Sequence, residues 1–157
     1  AIVHSMANQI NNSGIKNPLF IAVLNGSFLF AADIMRKINI PNSEISFIKL
    51  SSYLGTESTG EVNELIGLGK NIRNRNIVIL EDIIDTGITL EKIILLLEKE
   101  EVNDIKVATL LFKPEAYKKD IEIDFIGKSI PNDFVVGYGL DYDEIGRNLP
   151  HIYKLKE

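Results

Sequence analysis

The chain has 157 residues, of which 45% are hydrophobic and 25% charged, and its formal net charge at pH 7 is −5. This length supports one domain with a substantial core, and we expect residues 1–157 to form a single domain whose natural start precedes Ala1. The acidic balance argues against a general nucleic-acid or anionic-membrane surface, and the absence of cysteine excludes disulfides, thiolate metal sites and cysteine nucleophiles.

The first part of the chain predicts a helix and then a strand–turn–helix unit. Apolar residues recur at helical spacing over residues 1–12, and residues 19–24 form an apolar run typical of a buried strand. Asn25, Gly26 and Ser27 lead from this strand into a predicted helix over residues 28–38. The turn is either a plain connection with Ser27 as N-cap or a phosphate site at a helix N-terminus.

Residues 44–50 alternate apolar and polar side chains, which predicts a strand. The following residues 51–60 contain two glycines and many hydroxyl groups, so we predict a loop. Gly55 and Gly60 have the spacing of a Walker A motif, but Glu61 and Val62 follow where Lys and Ser or Thr are required, which excludes that motif. The loop is either a hairpin connection to a strand near residues 62–66 or a lid over a site.

The most informative stretch follows a polar turn at residues 71–76. Residues 77–80 read as a buried strand of a parallel sheet, and a helix is predicted over residues 90–101. Between them lie three acids within five positions, Glu81, Asp82 and Asp85, and then T-G-I-T. Adjacent residues of a strand face opposite sides, so we expect the strand to end near Leu80 rather than bury an acid.

This stretch has two interpretations. Acids and threonines before a helix are common N-caps. Alternatively, the helix N-terminus holds a phosphate, and the carboxylates beside it bind a divalent metal or a sugar diol. The density of acids directly after an apolar strand favours the second interpretation.

The last part of the chain predicts two more strands, over residues 105–112 and 121–126. The first ends at Lys113 and Pro114, which would place the lysine at the carboxyl edge of the sheet. In residues 133–141, two glycines flank Tyr138 within an apolar run. Such glycines indicate a bend or a close approach to a ligand.

The stretch E-D-I-I-D-T-G-I-T resembles the phosphoribosyl-pyrophosphate (PRPP) signature of purine phosphoribosyltransferases. Four further features resemble the hypoxanthine-guanine branch of that family, in the same order and spacing. They are the pattern S-Y…S-T-G-E that begins in the 51–60 loop, Lys113, D-F-V-V-G-Y-G-L-D-Y and Arg147. The resemblance implies an α/β, type I phosphoribosyltransferase fold, with a mostly parallel sheet, flanking helices and a small hood. It also implies Mg²⁺-dependent transfer of the phosphoribosyl group from PRPP to N9 of hypoxanthine, or second to guanine, giving IMP or GMP and pyrophosphate.

The resemblance also implies roles for individual residues. The 5′-phosphate would be bound by Asp85, Thr86, Gly87, Ile88 and Thr89, with Asp85 also the general base for purine N7. The ribose hydroxyls and Mg²⁺ would be held by Glu81 and Asp82, with Asp141 as a further metal ligand through water. Pyrophosphate would be bound by Asn25, Gly26, Ser27, Ser52, Tyr53 and Arg147, and the purine by Lys113, Phe134, Val135 and Asp141. The family often has Lys or Arg where this chain has Asn25, and often a cis peptide before that position.

A second hypothesis is a PRPP- or nucleotide-sensing regulatory module on the same fold, with RNA as one candidate ligand. Such a module would keep the phosphate loop but lose the lid or the base pocket, whose patterns are all present here. A dinucleotide-binding enzyme is not supported, because the chain lacks G-x-G-x-x-G.

We expect small-molecule substrates as partners rather than nucleic acid or membrane. The family is commonly dimeric or tetrameric, so a homodimer or homotetramer is implied. No apolar run approaches a membrane span and no signal peptide is visible, which suggests a cytoplasmic protein. The residues do not decide the preference among hypoxanthine, guanine and xanthine.

Overall fold

The structure is a computed structural model, and it describes residues 1–50, 64–66 and 71–156, for 64–66 the backbone only. Its helices are α1 Ile2–Asn11, α2 Phe28–Met35 and α3 Ile88–Lys99. Its strands are β1 Pro18–Val23, β2 Glu44–Leu50, β3 Glu64–Ile66, β4 Asn76–Ile84, β5 Asp104–Phe112, β6 Phe125–Ser129, β7 Val135–Val136 and β8 Tyr153–Lys154. The predicted 51–60 loop lies outside the described residues, and with it Ser52, Tyr53 and the lid hypothesis.

One sheet contains six strands in the order β3-β2-β1-β4-β5-β6. The pairs within β2-β1-β4-β5-β6 are parallel, and β3 is antiparallel to β2. A separate two-stranded ribbon, β7–β8, lies near the C-terminus, and we call residues 133–156 the hood. This architecture confirms the predicted mostly parallel sheet and the strand expected near residues 62–66.

The apolar runs of β1 and β4 are buried on both faces, as expected for parallel strands covered on each side. In β1, Phe20 and Ala22 pack into the core that contains α1 and α2 residues, whereas Leu19 and Ile21 pack into the core that contains α3 residues. This two-sided burial fixes β1 and β4 as neighbours at the centre of the sheet. Their carboxyl ends therefore lie side by side.

The prediction that the central strand ends near Leu80 is wrong, because β4 continues to Ile84. The neighbouring strand explains the extension: Glu81 pairs with Thr109, Ile83 with Leu111 and Ile84 with Phe112. The ladder with β5 thus pairs Glu81 and continues past Asp82. It also carries Glu81 into a buried position, which the local pattern had argued against.

The strand predicted over residues 121–126 instead forms as Phe125–Ser129. Pairing with β5 begins at Asp124, whose N–H donates to the Val107 carbonyl and whose side chain accepts the Val107 N–H at 2.8 Å. Ile121 and Ile123 pack against the core on the α3 side. Their alternation therefore reflects side-chain packing rather than a strand.

In the described ranges the longest helix is α3, with 12 residues. None of the helices there has the length and apolar character of a membrane span.

Candidate active site

Three stretches singled out in the sequence meet at the carboxyl edge of the sheet. Residues 24–27 follow β1, residues 85–87 follow β4, and Lys113 follows β5. The Lys113 N–H donates to the Ile84 carbonyl at 3.0 Å, which fixes the lysine beside the end of β4. The residue is only 8% exposed. Parallel strand order alone produces this convergence, because sequential βα units open toward the same edge.

The 24–27 loop packs directly against the acidic end of β4. A Cβ atom on Gly26 would lie 2.7 Å from Cγ of Asp82, so only glycine allows this approach. The peptide between Leu24 and Asn25 is cis, as the family resemblance implied. Ser27 is fully buried and its hydroxyl donates to the Val23 carbonyl at 2.6 Å. The Ser27 side chain does not cap α2, and its proton is donated to the last residue of β1.

Glu81 and Asp82 form an acid pair at the end of β4. Burial raises the pKa of Glu81 well above its ordinary value, and the neighbouring charge of Asp82 raises it further. Burial also raises the pKa of Asp82 to about 6, although backbone N–H groups and the positive charge of Arg147 oppose that shift. Two crowded carboxyl groups with raised pKa values are poorly solvated as anions, and a cation or a diol would stabilise their charged forms.

This pair predicts a pH-dependent effect of replacing Glu81. A carboxyl whose pKa is raised by folding contributes stability below its unfolded pKa, of about 4.3 for Glu, and loses that contribution as the pH rises through the folded pKa. We therefore expect E81Q to gain melting temperature relative to the wild type as the pH of an EDTA-containing buffer rises from about 5 to about 8.

The measurement is thermal unfolding at several pH values. E122Q, which changes an exposed carboxyl, is the matched control and should show no growing difference from the wild type. A constant difference between E81Q and the wild type across this range would contradict a raised Glu81 pKa.

The 85–89 loop leads into α3 and is shaped by Gly87. Gly87 adopts φ of 89° as the residue before α3, and a Cβ atom there would lie 2.8 Å from side-chain atoms of Tyr117 and Lys119. Asp85 is exposed and accepts the N–H of Thr86. The first turn of a helix of this length offers unpaired N–H groups, so the loop can bind an anion.

The acid pair and the 85–89 loop border the same cavity. It has a volume of about 280 Å³ and is lined by Glu81, Asp82, Ile83, Ile84, Asp85, Gly87, Ile88, Thr89 and Leu90. Carboxylates accept hydrogen bonds from hydroxyl groups, and a helix N-terminus binds a phosphate. A ribose phosphate has both.

The hood supplies the remaining predicted residues. Phe134 is 55% exposed and stands edge-to-face with Tyr142 at a ring distance of 5.9 Å, and Val135 belongs to β7. Arg147 donates to the Gly139 carbonyl at 2.8 Å and pairs with Asp141 at 3.5 Å. The hood therefore presents an exposed aromatic ring together with an ordered arginine–carboxylate pair.

The hood also contacts the 24–27 loop. A Cβ atom on Gly139 would overlap the carbonyl oxygen of Gly26, so the two backbones touch. The charge of Arg147 also acts on Asp82. Gly139 and Arg147 of the hood, the 24–27 loop and the acid pair of β4 thus lie together at the carboxyl edge of the sheet.

The described residues contain no cluster of three or more acidic or histidine side chains arranged to hold a metal ion. Glu81, Asp82 and Asp141 are therefore not gathered into one ligand set, and Asp141 is turned toward Arg147. Mg²⁺ usually takes one or two protein carboxylates and completes its shell with water and substrate phosphates. The buried Glu81 and the adjacent, half-buried Asp82 fit that requirement.

Some supports of the site were not predicted. Tyr117 and Lys119 pack over Gly87, and Lys119 also pairs with Glu91 of α3 at 3.1 Å. The hydroxyl of Tyr138 in the hood donates to Asp33 of α2, a partner 105 residues away. No local pattern could have revealed such contacts, because they depend on how distant elements meet.

Comparison with known proteins places these features in a family. Residues 1–143 match the phosphoribosyl transferase domain. The chain is 51% identical over 137 residues to a hypoxanthine-guanine phosphoribosyltransferase of Staphylococcus epidermidis, covering 87% of this chain and 76% of the relative.

Two solved structures are similar as well. A hypoxanthine phosphoribosyltransferase from Staphylococcus aureus aligns with a TM-score of 0.87 at 41% identity, covering 99% of this chain and 87% of that one. A hypoxanthine-guanine phosphoribosyltransferase from Bacillus anthracis aligns with a TM-score of 0.89 at 42% identity, covering 99% and 92%.

Proposed function

The chain belongs to the phosphoribosyl transferase domain family, and from that membership we propose that it transfers the 5-phosphoribosyl group of PRPP to N9 of hypoxanthine and, second, of guanine. The products are IMP or GMP and pyrophosphate. The observation that carries the proposal is the cavity shared by the acid pair and the 85–89 loop, since it combines groups for a ribose with groups for a phosphate.

The 5′-phosphate binds to Asp85, Thr86, Gly87, Ile88 and Thr89 at the N-terminus of α3, where backbone N–H groups and the helix dipole favour an anion. Glu81 and Asp82 bind the ribose hydroxyls. As the bond from C1 to pyrophosphate breaks, positive charge develops on the ribose ring. The two carboxylates stabilise that charge more than they stabilise the neutral substrate, which lowers the barrier.

The purine is held from the other side. The ammonium of Lys113 donates to the purine O6, which selects an oxo group over an amino group because an amino group offers no acceptor in its place. Phe134 stacks on the ring and the backbone of Val135 contacts its edge. As N9 bonds to C1, Asp85 accepts the proton from N7.

The leaving pyrophosphate contacts Asn25, Gly26, Ser27 and Arg147. Ser27 is buried, and its contribution is to hold the loop in place. Glu81 and Asp82 would hold Mg²⁺, with Asp141 contributing through water. When bound, Mg²⁺ supplies positive charge to the pyrophosphate oxygens. Ser52 and Tyr53, outside the described residues, are proposed from the resemblance to close over the pyrophosphate and exclude water.

We further propose that the protein forms a homodimer or homotetramer and acts in the cytoplasm.

The test is a steady-state assay of nucleotide formation with PRPP and Mg²⁺ against hypoxanthine, guanine, xanthine and adenine. We expect turnover of hypoxanthine and guanine but not adenine, and loss of turnover when EDTA replaces Mg²⁺. If no base reacts while calorimetry detects PRPP binding, the proposal fails and a PRPP-sensing module takes its place.

A further inference from the structure

A side-chain hydrogen bond connects the hood to helix α2. The hydroxyl of Tyr138 donates to the carboxylate of Asp33 on α2. Burial and the adjacent carboxylate raise the pKa of the Tyr138 hydroxyl, so it keeps its proton and acts as the donor. The other ionic contact of Asp33 is with Arg36 at 3.9 Å, between largely exposed groups of the same helix, and such pairs contribute little.

The backbone around Tyr138 is tightly held. Tyr138 has φ of 49°, a left-handed conformation that is uncommon for a residue with a side chain. Its N–H donates to the Leu149 carbonyl at 2.8 Å, and the next N–H, of Gly139, donates to the Arg147 carbonyl at 2.9 Å. The turn that carries Tyr138 is therefore fixed to the segment that carries Arg147.

Asp33 and Tyr138 are each connected through the backbone to residues that are proposed to hold substrate. On the α2 side, the helix begins at Phe28, immediately after the 24–27 loop. On the hood side, Gly139 touches the Gly26 carbonyl and its own carbonyl accepts from Arg147. A change in the separation of Tyr138 and Asp33 would thus shift the hood relative to the 24–27 loop.

We propose that the Tyr138–Asp33 hydrogen bond positions the hood against the 24–27 loop, so that the purine held by the hood meets the ribose at reacting distance. This inference rests on the proposed function. Tyr138 and Asp33 are positioning residues that act through the Gly26–Gly139 contact. Small displacements of a reacting group lower rates strongly, whereas the cavity at the 85–89 loop is lined by neither Asp33 nor Tyr138.

The test combines Y138F, D33A, D33N and the double variant Y138F/D33A. Y138F and D33A each remove the bond, whereas D33N keeps an acceptor for the tyrosine hydroxyl. Y153F removes an exposed hydroxyl from the same hood and is the matched control. Three quantities are measured: kcat/KM for hypoxanthine at saturating PRPP, the Kd of ribose 5-phosphate by calorimetry, and the circular dichroism spectrum.

We expect Y138F and D33A each to lower kcat/KM for hypoxanthine about tenfold, the size expected for losing a hydrogen bond to a charged group. The double variant should be no worse than either single one, since both remove the same interaction. D33N should stay within about threefold of the wild type because a neutral acceptor preserves a weaker bond. The Kd of ribose 5-phosphate should change less than about twofold in every variant.

The inference is overturned if Y138F matches Y153F, if the effects of Y138F and D33A multiply in the double variant, or if D33N is as impaired as D33A. It is also overturned if the Kd of ribose 5-phosphate rises in parallel with the loss of activity, because that would indicate general damage. An inactive wild type would instead contradict the proposed function, so the two failures are distinguishable.

Discussion

Replacing Asp85 by asparagine is expected to lower kcat by roughly 10²–10⁴-fold, the usual loss when one acid–base group is removed. Asp85 is exposed and lines the same cavity as the acid pair, so it lies beside the proposed ribose site, next to which the purine reacts. An asparagine keeps the shape and the backbone contact with Thr86 but cannot accept the N7 proton. PRPP affinity should change little, because the phosphate is held mainly by backbone N–H groups.

This prediction is checked by measuring kcat in steady state and the Kd of PRPP by calorimetry. E98Q, at an exposed carboxyl of α3, is the matched control and should behave as the wild type. If D85N retains its full kcat, Asp85 is not the general base. If PRPP affinity falls as much as kcat, its role is binding rather than proton transfer.

Replacing Lys113 by alanine is expected to lower kcat/KM for hypoxanthine by about 10–100-fold, the cost of losing a charged hydrogen-bond donor to O6. The side chain is buried at the end of β5, and its backbone is fixed to the end of β4. The lysine is therefore held at the site rather than free in solvent. Because the selection against adenine depends on the same group, the ratio of hypoxanthine to adenine use should fall as well.

The same assay tests this prediction, together with the Kd of PRPP. K128A, at an exposed lysine of the neighbouring strand β6, is the control and should leave both quantities unchanged. A loss of PRPP affinity in K113A as large as the loss of hypoxanthine use would show that Lys113 does not act on the base.

The buried strands of the sheet were predictable because parallel strands covered on both faces carry continuous apolar runs. The residue at which β4 ends was not predictable in this way. A rule based on local pattern stops a strand before two adjacent acids, whereas the ladder with β5 continues to Ile84. Departures from local rules are expected at functional sites, which agrees with the role proposed for the buried Glu81.

The convergence of the 24–27 loop, the 85–89 loop and Lys113 at one edge could also be predicted, since it follows from parallel strand order. The packing of side chains within the site could not be predicted from the sequence. The inward turn of the Ser27 hydroxyl, the fit of Gly26 against Asp82 and the bond between Tyr138 and Asp33 depend on three-dimensional contacts between separate elements. The family resemblance identified residue types and their order, but not these contacts.

The central claim is that one edge of the sheet binds a purine nucleotide through the 85–89 loop and Lys113 together. The most direct test is a crystal structure of the protein with IMP. We predict that the 5′-phosphate accepts hydrogen bonds from the backbone of residues 85–89, and that the purine O6 lies within hydrogen-bonding distance of Lys113 Nζ. A nucleotide bound elsewhere, or one whose base points away from Lys113 while its phosphate occupies the loop, would contradict the claim.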